Sequence, residues 1–272
     1  MKLSPRALAL PALALLLTSM VSACDSVTED GTDDGGTEIG ELHAAFEAFD
    51  ADNVSVTLVG SDVLVESNGM PNHTSPYWSN TTARTLDGHT TPAAAEDHPL
   101  FSDPECTSFD QMAPGNIDDF SGSYALTVTA SPEQATSSTA TGLGPIGIAV
   151  SGAMIYNDQE GPNVPLANAV GSLDCNGAHT GPQSYHYHLE PVAWSQDDDA
   201  LIGVMADGFF LYGRRDIDGT PPDDLDASGG HIGPTPHNAE GEYHYHIKDE
   251  LYLSRYYLLF PGDYQGTPSA IR

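Results

Sequence analysis

The sequence predicts a mainly β fold, a single sandwich- or barrel-like domain with an internal duplication of a hairpin–loop–strand unit. Three sets of repeated residues carry that expectation. Tyr185-His186-Tyr187-His188 recurs as Tyr243-His244-Tyr245-His246. Leu173 to His179 aligns without a gap on Leu225 to His231, and Ile146 to Tyr156 aligns on Ile202 to Tyr212. Ordered blocks that repeat in step mark a duplicated structural unit. Elsewhere apolar residues alternate with polar ones, and no stretch carries a convincing long amphipathic helix.

Along the chain, the first segment is a targeting signal. Lys2 and Arg6 precede an apolar run from Ala7 to Leu17, and Val21-Ser22-Ala23-Cys24 follows. The run is too short for a permanent transmembrane helix. Small residues ending on a cysteine resemble the lipobox of bacterial lipoproteins. That resemblance implies removal of residues 1–23, acylation of Cys24 with palmitate among the chains, and a cell-envelope location on the extracytoplasmic side of the membrane. An ordinary secretory signal with a chance cysteine is the alternative. Residues 24–52 read as an acidic tether ending in a short helix, because Leu42, Ala45, Phe46 and Phe49 share one helical face.

The domain proper is expected over residues 53–262. Val54, Val56 and Leu58 alternate with polar residues, Gly60-Ser61 turns the chain, and Val63-Leu64-Val65 returns. Tyr124, Leu126 and Val128 repeat the pattern. Within the duplicated units, about 146–190 and 202–247, Ser151-Gly152 and Asp207-Gly208 sit between apolar runs and signal hairpins. A loop bearing one histidine then leads to each Tyr-His-Tyr-His strand. Tyr252 to Phe260 reads as a closing strand, and 263–272 as a tail.

The formal charge is −31. Loss of Lys2 and Arg6 with the signal would make it −33, leaving Arg84, Arg214, Arg215, Lys248, Arg255 and Arg272 as the only basic residues. That excludes electrostatic nucleic-acid binding and restricts membrane contact to the lipid anchor. Acidity dispersed over the chain, with little lysine, reads as adaptation to high salt. Protein and small-molecule partners stay open. Beyond Cys24, export favours a Cys106–Cys175 disulfide, which would stabilise the fold by ~4 kcal/mol in the chain-entropy model. Cys175 as a metal ligand is the rival, opposed by Ala227 at the equivalent repeat position.

In a strand, alternate side chains share a face, so His186 and His188 point one way and Tyr185 and Tyr187 the other. Two such imidazoles plus a third make a three-histidine metal site. His179 is the natural third ligand, with His231, His244 and His246 as the second copy or as partners in one shared site. Asp174 and Asp226, at equivalent repeat positions, are candidates to orient the imidazoles. Imidazole without thiolate outside the cytoplasm favours zinc or copper.

The chain resembles the YHYH domain family through the doubled tetrapeptide, Ser67-Asn68-Gly69-Met70-Pro71-Asn72-His73, Gly144-Pro145-Ile146-Gly147, Asp207-Gly208-Phe209 with Tyr212-Gly213, and Asp224-Leu225-Asp226. The likeness extends over about residues 53–260 and implies no particular activity. Through it alone His73 joins the candidate metal residues, although Asn72 stands where the family has Asp. Three functions compete: a lipoprotein that binds a transition metal, a zinc-dependent hydrolase or lyase using metal-bound water with Asp207 or Glu242 as base, and a non-catalytic surface module with structural histidines.

Overall fold

The computed structural model describes residues 41–75, 77, 80–86, 89–93, 122–174, 176–180 and 184–272. The signal, residues 24–40 of the tether, Cys24, Cys106 and Cys175 lie outside them. Strands dominate, and no α-helix occurs among the described residues.

The helical spacing after Leu42 becomes a 3-10 helix, Ala44–Ala48, which buries Ala45 and Phe46 and is capped by the His43 side chain on Ala45 N–H. β1 (Val54–Val59) and β2 (Asp62–Ser67) pair around Gly60, whose φ of 66° suits a tight turn. β3 (Asn80–Leu86) and β4 (His89–Ala93) form a separate ribbon. β5 (Tyr124–Thr129) joins β2 to complete a three-stranded sheet. Alternation puts Val63, Val65 and Leu126 on its inner face with no exposure, each worth about 1.5–3 kcal/mol of burial.

The duplicated units supply the large sheet. The first contributes β6 (Gly147–Ala149), β7 (Met154–Ile155), β10 (Ala178–Thr180) and β11 (Tyr185–Tyr187), with the small ribbon β8 (Gln159–Gly161) and β9 (Val164–Pro165) between them. The second contributes β12 (Leu201–Met205), β13 (Phe210–Tyr212), β14 (Gly230–Thr235) and β15 (Asn238–His246). Their order across the sheet is β10-β11-β7-β6-β12-β13-β15-β14. The two halves mirror each other about the β6–β12 seam, so both repeats share one sheet.

Local turns repeat as well. Gly152 and Gly208, both at positive φ, donate to Ala149 and Met205 at 2.9 Å in the two hairpins. Gly177 and Gly229, again at positive φ, close the turns that deliver the histidines.

The large sheet and the three-stranded sheet share one hydrophobic cluster in a sandwich-like arrangement, with no closed barrel among the described residues. Ser67 Oγ and Asn53 Nδ2 bond the backbone of the first hairpin turn, at Gly152 and Ser151. Two expectations change. Tyr252 to Phe260 is not one strand, because Leu253 and Ser254 adopt left-handed backbone and fold it into the short hairpin β16 (Leu251–Tyr252) and β17 (Tyr256–Tyr257). The C-terminal segment is no loose tail: Arg272 exchanges two backbone hydrogen bonds with Ala125, and Tyr264 is buried.

Candidate metal centres

His179 and His231 lie on the two edge strands rather than in loops. Antiparallel pairing sets His179 opposite His186 and His231 opposite His244. Alternation along the tetrapeptide strand then brings His188 and His246 onto the same face as their neighbours. Two groups result: His179, His186 and His188, and His231, His244 and His246 with Asp216. The strands β11 and β15 are five steps apart in the sheet, ~24 Å at ordinary strand spacing, so the groups cannot share one ion.

Each imidazole is held through Nδ1 by a group that must accept. His186 and His244 donate to the carbonyls of Ser184 (2.8 Å) and Glu242 (3.0 Å). His188 and His246 donate to the carbonyls of Asn157 (2.5 Å) and Gly213 (2.7 Å), which are equivalent repeat positions. His231 donates to the Asp224 carboxylate at 2.6 Å. His179 donates to Ser172 Oγ at 2.7 Å, whose own proton goes to the Ala169 carbonyl. Every Nδ1 therefore carries a proton, and Nε2 of each neutral ring presents a lone pair.

Those six Nε2 atoms point inward. Burial lowers the His179 pKa to about 3 and those of His188, His244 and His246 to about 4, with His186 also well below the usual range. They are neutral at physiological pH, the state in which imidazole binds metal. In the second group His244 Nε2 lies 3.2 Å from His231 Nε2 and 2.8 Å from His246 Nε2. Between His244 and His246, both neutral and both donating through Nδ1, this is a contact between two acceptors.

A carboxylate that the sequence reading missed lies beside each group: Asp216 joins all three histidines of the second, whereas Glu160 approaches only His179 and His188 of the first. Glu160 Oε1 sits 3.3 Å from His179 Nε2 and 3.4 Å from His188 Nε2. Asp216 Oδ1 sits 3.3 Å from both His231 Nε2 and His246 Nε2. Glu160 rides on β8, and Asp216 on a turn closed by Thr220. Between a neutral imidazole and a carboxylate there is no proton to share, and Glu160 Oε1, Asp216 Oδ1, His179 Nε2 and His188 Nε2 are buried without a hydrogen bond. Burial raises the pKa of both carboxylates. Tetrahedral zinc with ligands at ~2.0–2.1 Å separates ligand atoms by ~3.3 Å, which is the spacing of the carboxylates from the imidazoles. Three imidazoles with a carboxylate beside them are a donor set that fits a divalent transition cation. Tyr156 stacks on His186 at 3.8 Å and walls the first group.

Other sequence candidates fall elsewhere. Asp174 and Asp226 do not orient the imidazoles: Oδ1 of each accepts the turn N–H groups after it, and Oδ2 takes the hydroxyl of Tyr185 or Tyr243. The imidazole-orienting role belongs to Ser172 and Asp224 instead. His73 is on the tyrosine face, with Nε2 2.6 Å from the Tyr187 hydroxyl, and belongs to neither histidine group. Asp207 holds the Tyr245 hydroxyl at 2.6 Å, and Glu242 pairs with His43 at 2.9 Å, so neither serves the histidines as a base. His237 is half-buried against the Tyr212 hydroxyl and belongs to neither histidine group.

Fold and site together define a duplicated β-sheet protein with one three-histidine group near each end of its large sheet, joined by Asp216 in the second. Residues 123–221 match the family model described as YHYH protein. The match takes in the first group and Asp216, whereas His231, His244, His246 and the element from Ser67 to His73 lie beyond it. No curated protein and no solved structure matches the chain.

Proposed function

We propose that the chain is a lipid-anchored protein of the bacterial cell envelope that binds a divalent transition metal, zinc or copper, at two separate centres. One observation carries the metal reading: each group gathers three imidazoles in a buried space beside a carboxylate, and Glu160 Oε1, Asp216 Oδ1, His179 Nε2 and His188 Nε2 are left there without a hydrogen bond. Unpaired buried acceptors cost ~1–3 kcal/mol apiece, and a cation is the partner that removes the cost at all of them together. Structural histidines would be expected to satisfy both ring nitrogens, which disfavours a purely structural role.

A holding role is favoured over hydrolysis. Metal-bound water needs an open coordination position, and Asp216 stands at the fourth position of the second centre, with Glu160 close to two ligands of the first. Metal analysis of protein purified without chelator or affinity tag is the test. Two equivalents of zinc or copper per chain are expected, and metal-free protein that takes up neither would defeat the reading. Anchoring rests on the sequence around Cys24, and detergent partitioning of wild type against Cys24→Ala examines it. Adaptation to salt rests on the charge of −31. A thermal midpoint that rises from dilute to molar salt is expected as the Debye length shrinks to ~3 Å.

A further inference from the structure

The two centres are built alike at their histidines but differ in how closely the carboxylate joins them and in what surrounds them. Ser172 and Asp224 occupy equivalent repeat positions and bond the Nδ1 of equivalent histidines, at 2.7 and 2.6 Å. One is a neutral hydroxyl, the other an anion. An anionic acceptor makes the ring a stronger donor to metal at Nε2 than a hydroxyl does. A second difference runs the same way. Two residues beyond the carboxylate ligand, the first repeat has Pro162 and the second Asp218. Asp218 and Asp224 both place negative charge against Asp216. These two anions favour a dication in the space between His231, His244, His246 and Asp216, while the neighbouring Arg214 and Arg215 are engaged by Glu190, Asp197 and Asp249.

We infer that the two centres bind the same class of ion, a divalent transition cation, with unequal strength. The centre of His231, His244, His246 and Asp216 fills first and holds its ion. The centre of His179, His186, His188 and Glu160 fills second and exchanges. Asp224 against Ser172 sets most of the difference, and both act as positioning residues through the imidazole they bond. At limiting metal the chain then carries one ion permanently and trades the other. This ranking rests on the metal reading above.

The test is titration of Zn(II) into the metal-stripped full chain against a competing chelator. Wild type should show two steps, with His231→Ala removing the tighter and His179→Ala the weaker. Asp224→Ser should weaken the tighter step by roughly 10–100-fold and leave the weaker one in place. Asp224→Asn, which keeps an acceptor oxygen without charge, should weaken it similarly, and Ser172→Asp should strengthen the weaker step. Asp224 is solvent-exposed, so its variants should fold, and unchanged wild-type circular dichroism checks this. Two equal steps, a tighter step that disappears with His179→Ala, or full affinity in both Asp224 variants would overturn the ranking while leaving metal binding intact. Absence of any Zn(II) binding by wild type would instead remove the metal reading, and the ranking with it.

Discussion

Ile148 and Val204 are register partners across the centre of the large sheet, and each is also the other's counterpart in the repeat. The pairs beside them, Gly147 with Met205 and Ala149 with Gly203, interchange under the same operation. A pseudo-twofold axis thus passes through the Ile148–Val204 pair, normal to the sheet. Such an axis leaves both histidine groups on one face and both tyrosine pairs on the other.

Close approach at this seam depends on Gly147 and Gly203. A Cβ on Gly203 would lie 2.3 Å from the Ile148 carbonyl oxygen, and one on Gly147 2.8 Å from that of Val204. Because the obstruction is backbone, Gly203→Ala should destabilise the fold by more than about 2 kcal/mol. Chemical denaturation measures it, and a variant within 0.5 kcal/mol of wild type, roughly the scatter of harmless substitutions, would contradict the seam.

Separate centres imply separate losses. His186→Ala with His188→Ala should remove one equivalent of metal and spare the other, as should His244→Ala with His246→Ala. Elemental analysis of both double variants decides it. Loss of all metal in either folded variant would point to one shared site.

Glu160→Gln and Asp216→Asn should move two observables in opposite directions. Losing a charged ligand weakens metal binding. In the metal-free protein, however, the new amide N–H can donate to a neighbouring imidazole, and beside Glu160 both His179 Nε2 and His188 Nε2 lack a partner. Gains of about 0.5–1.5 kcal/mol in metal-free stability are expected from denaturation curves. A carboxylate with a purely structural role would lose stability on the same change.

Acid should destabilise the metal-free protein. The folded-state pKa values of His188, His244 and His246, about 4, and of His179, about 3, lie below the unfolded value of 6.5. Their contribution is fully present above about pH 6.5 and is lost as pH falls toward 4 and then 3, by on the order of a few kcal/mol per histidine. Glu160 and Asp174, raised by burial, act in the opposite sense and blunt the slope. Thermal midpoints of metal-free protein between about pH 7 and about pH 5 should fall, and fall less in His246→Gln. A midpoint that rises on acidification would count against neutral buried imidazoles.

On the other face, Tyr185→Phe and Tyr187→Phe should keep both metal equivalents. The first leaves the buried Asp174 without one of its donors, and the second strips the partner of His73 and Ser151. Losses of about 1–3 kcal/mol each are expected in denaturation, with metal content unchanged.

The alternation of Tyr185 to His188 was legible because a strand has a fixed period of two, and the duplication made the third histidine of each group legible too. Strand order was not, since the parallel contacts of β7 with β11 and of β13 with β15 join segments far apart in the chain. Glu160 and Asp216 escaped for a simpler reason. They lie four residues past the end of an aligned block, where Asn157-Asp158-Gln159 and Gly213-Arg214-Arg215 share no residue. Carrying that alignment on without a gap would have put one carboxylate opposite the other. Asp174 and Asp226 were misread because a short acidic side chain two residues before a turn bonds its own backbone first. His73 had no local pattern to say which face its loop would meet.

β10 and β14 are the outermost strands of the large sheet, and each carries one histidine of a group whose other two belong to the next strand in. An ion at either end would act as a rivet through the hem of the sheet. With rivets in place, the amides of Ala178–Thr180 and Gly230–Thr235 exchange slowly. Without them the hems fray first, baring strand edges on which a neighbouring chain can template. If the proposed ions bind there, metal supply would govern whether this sheet stays finite.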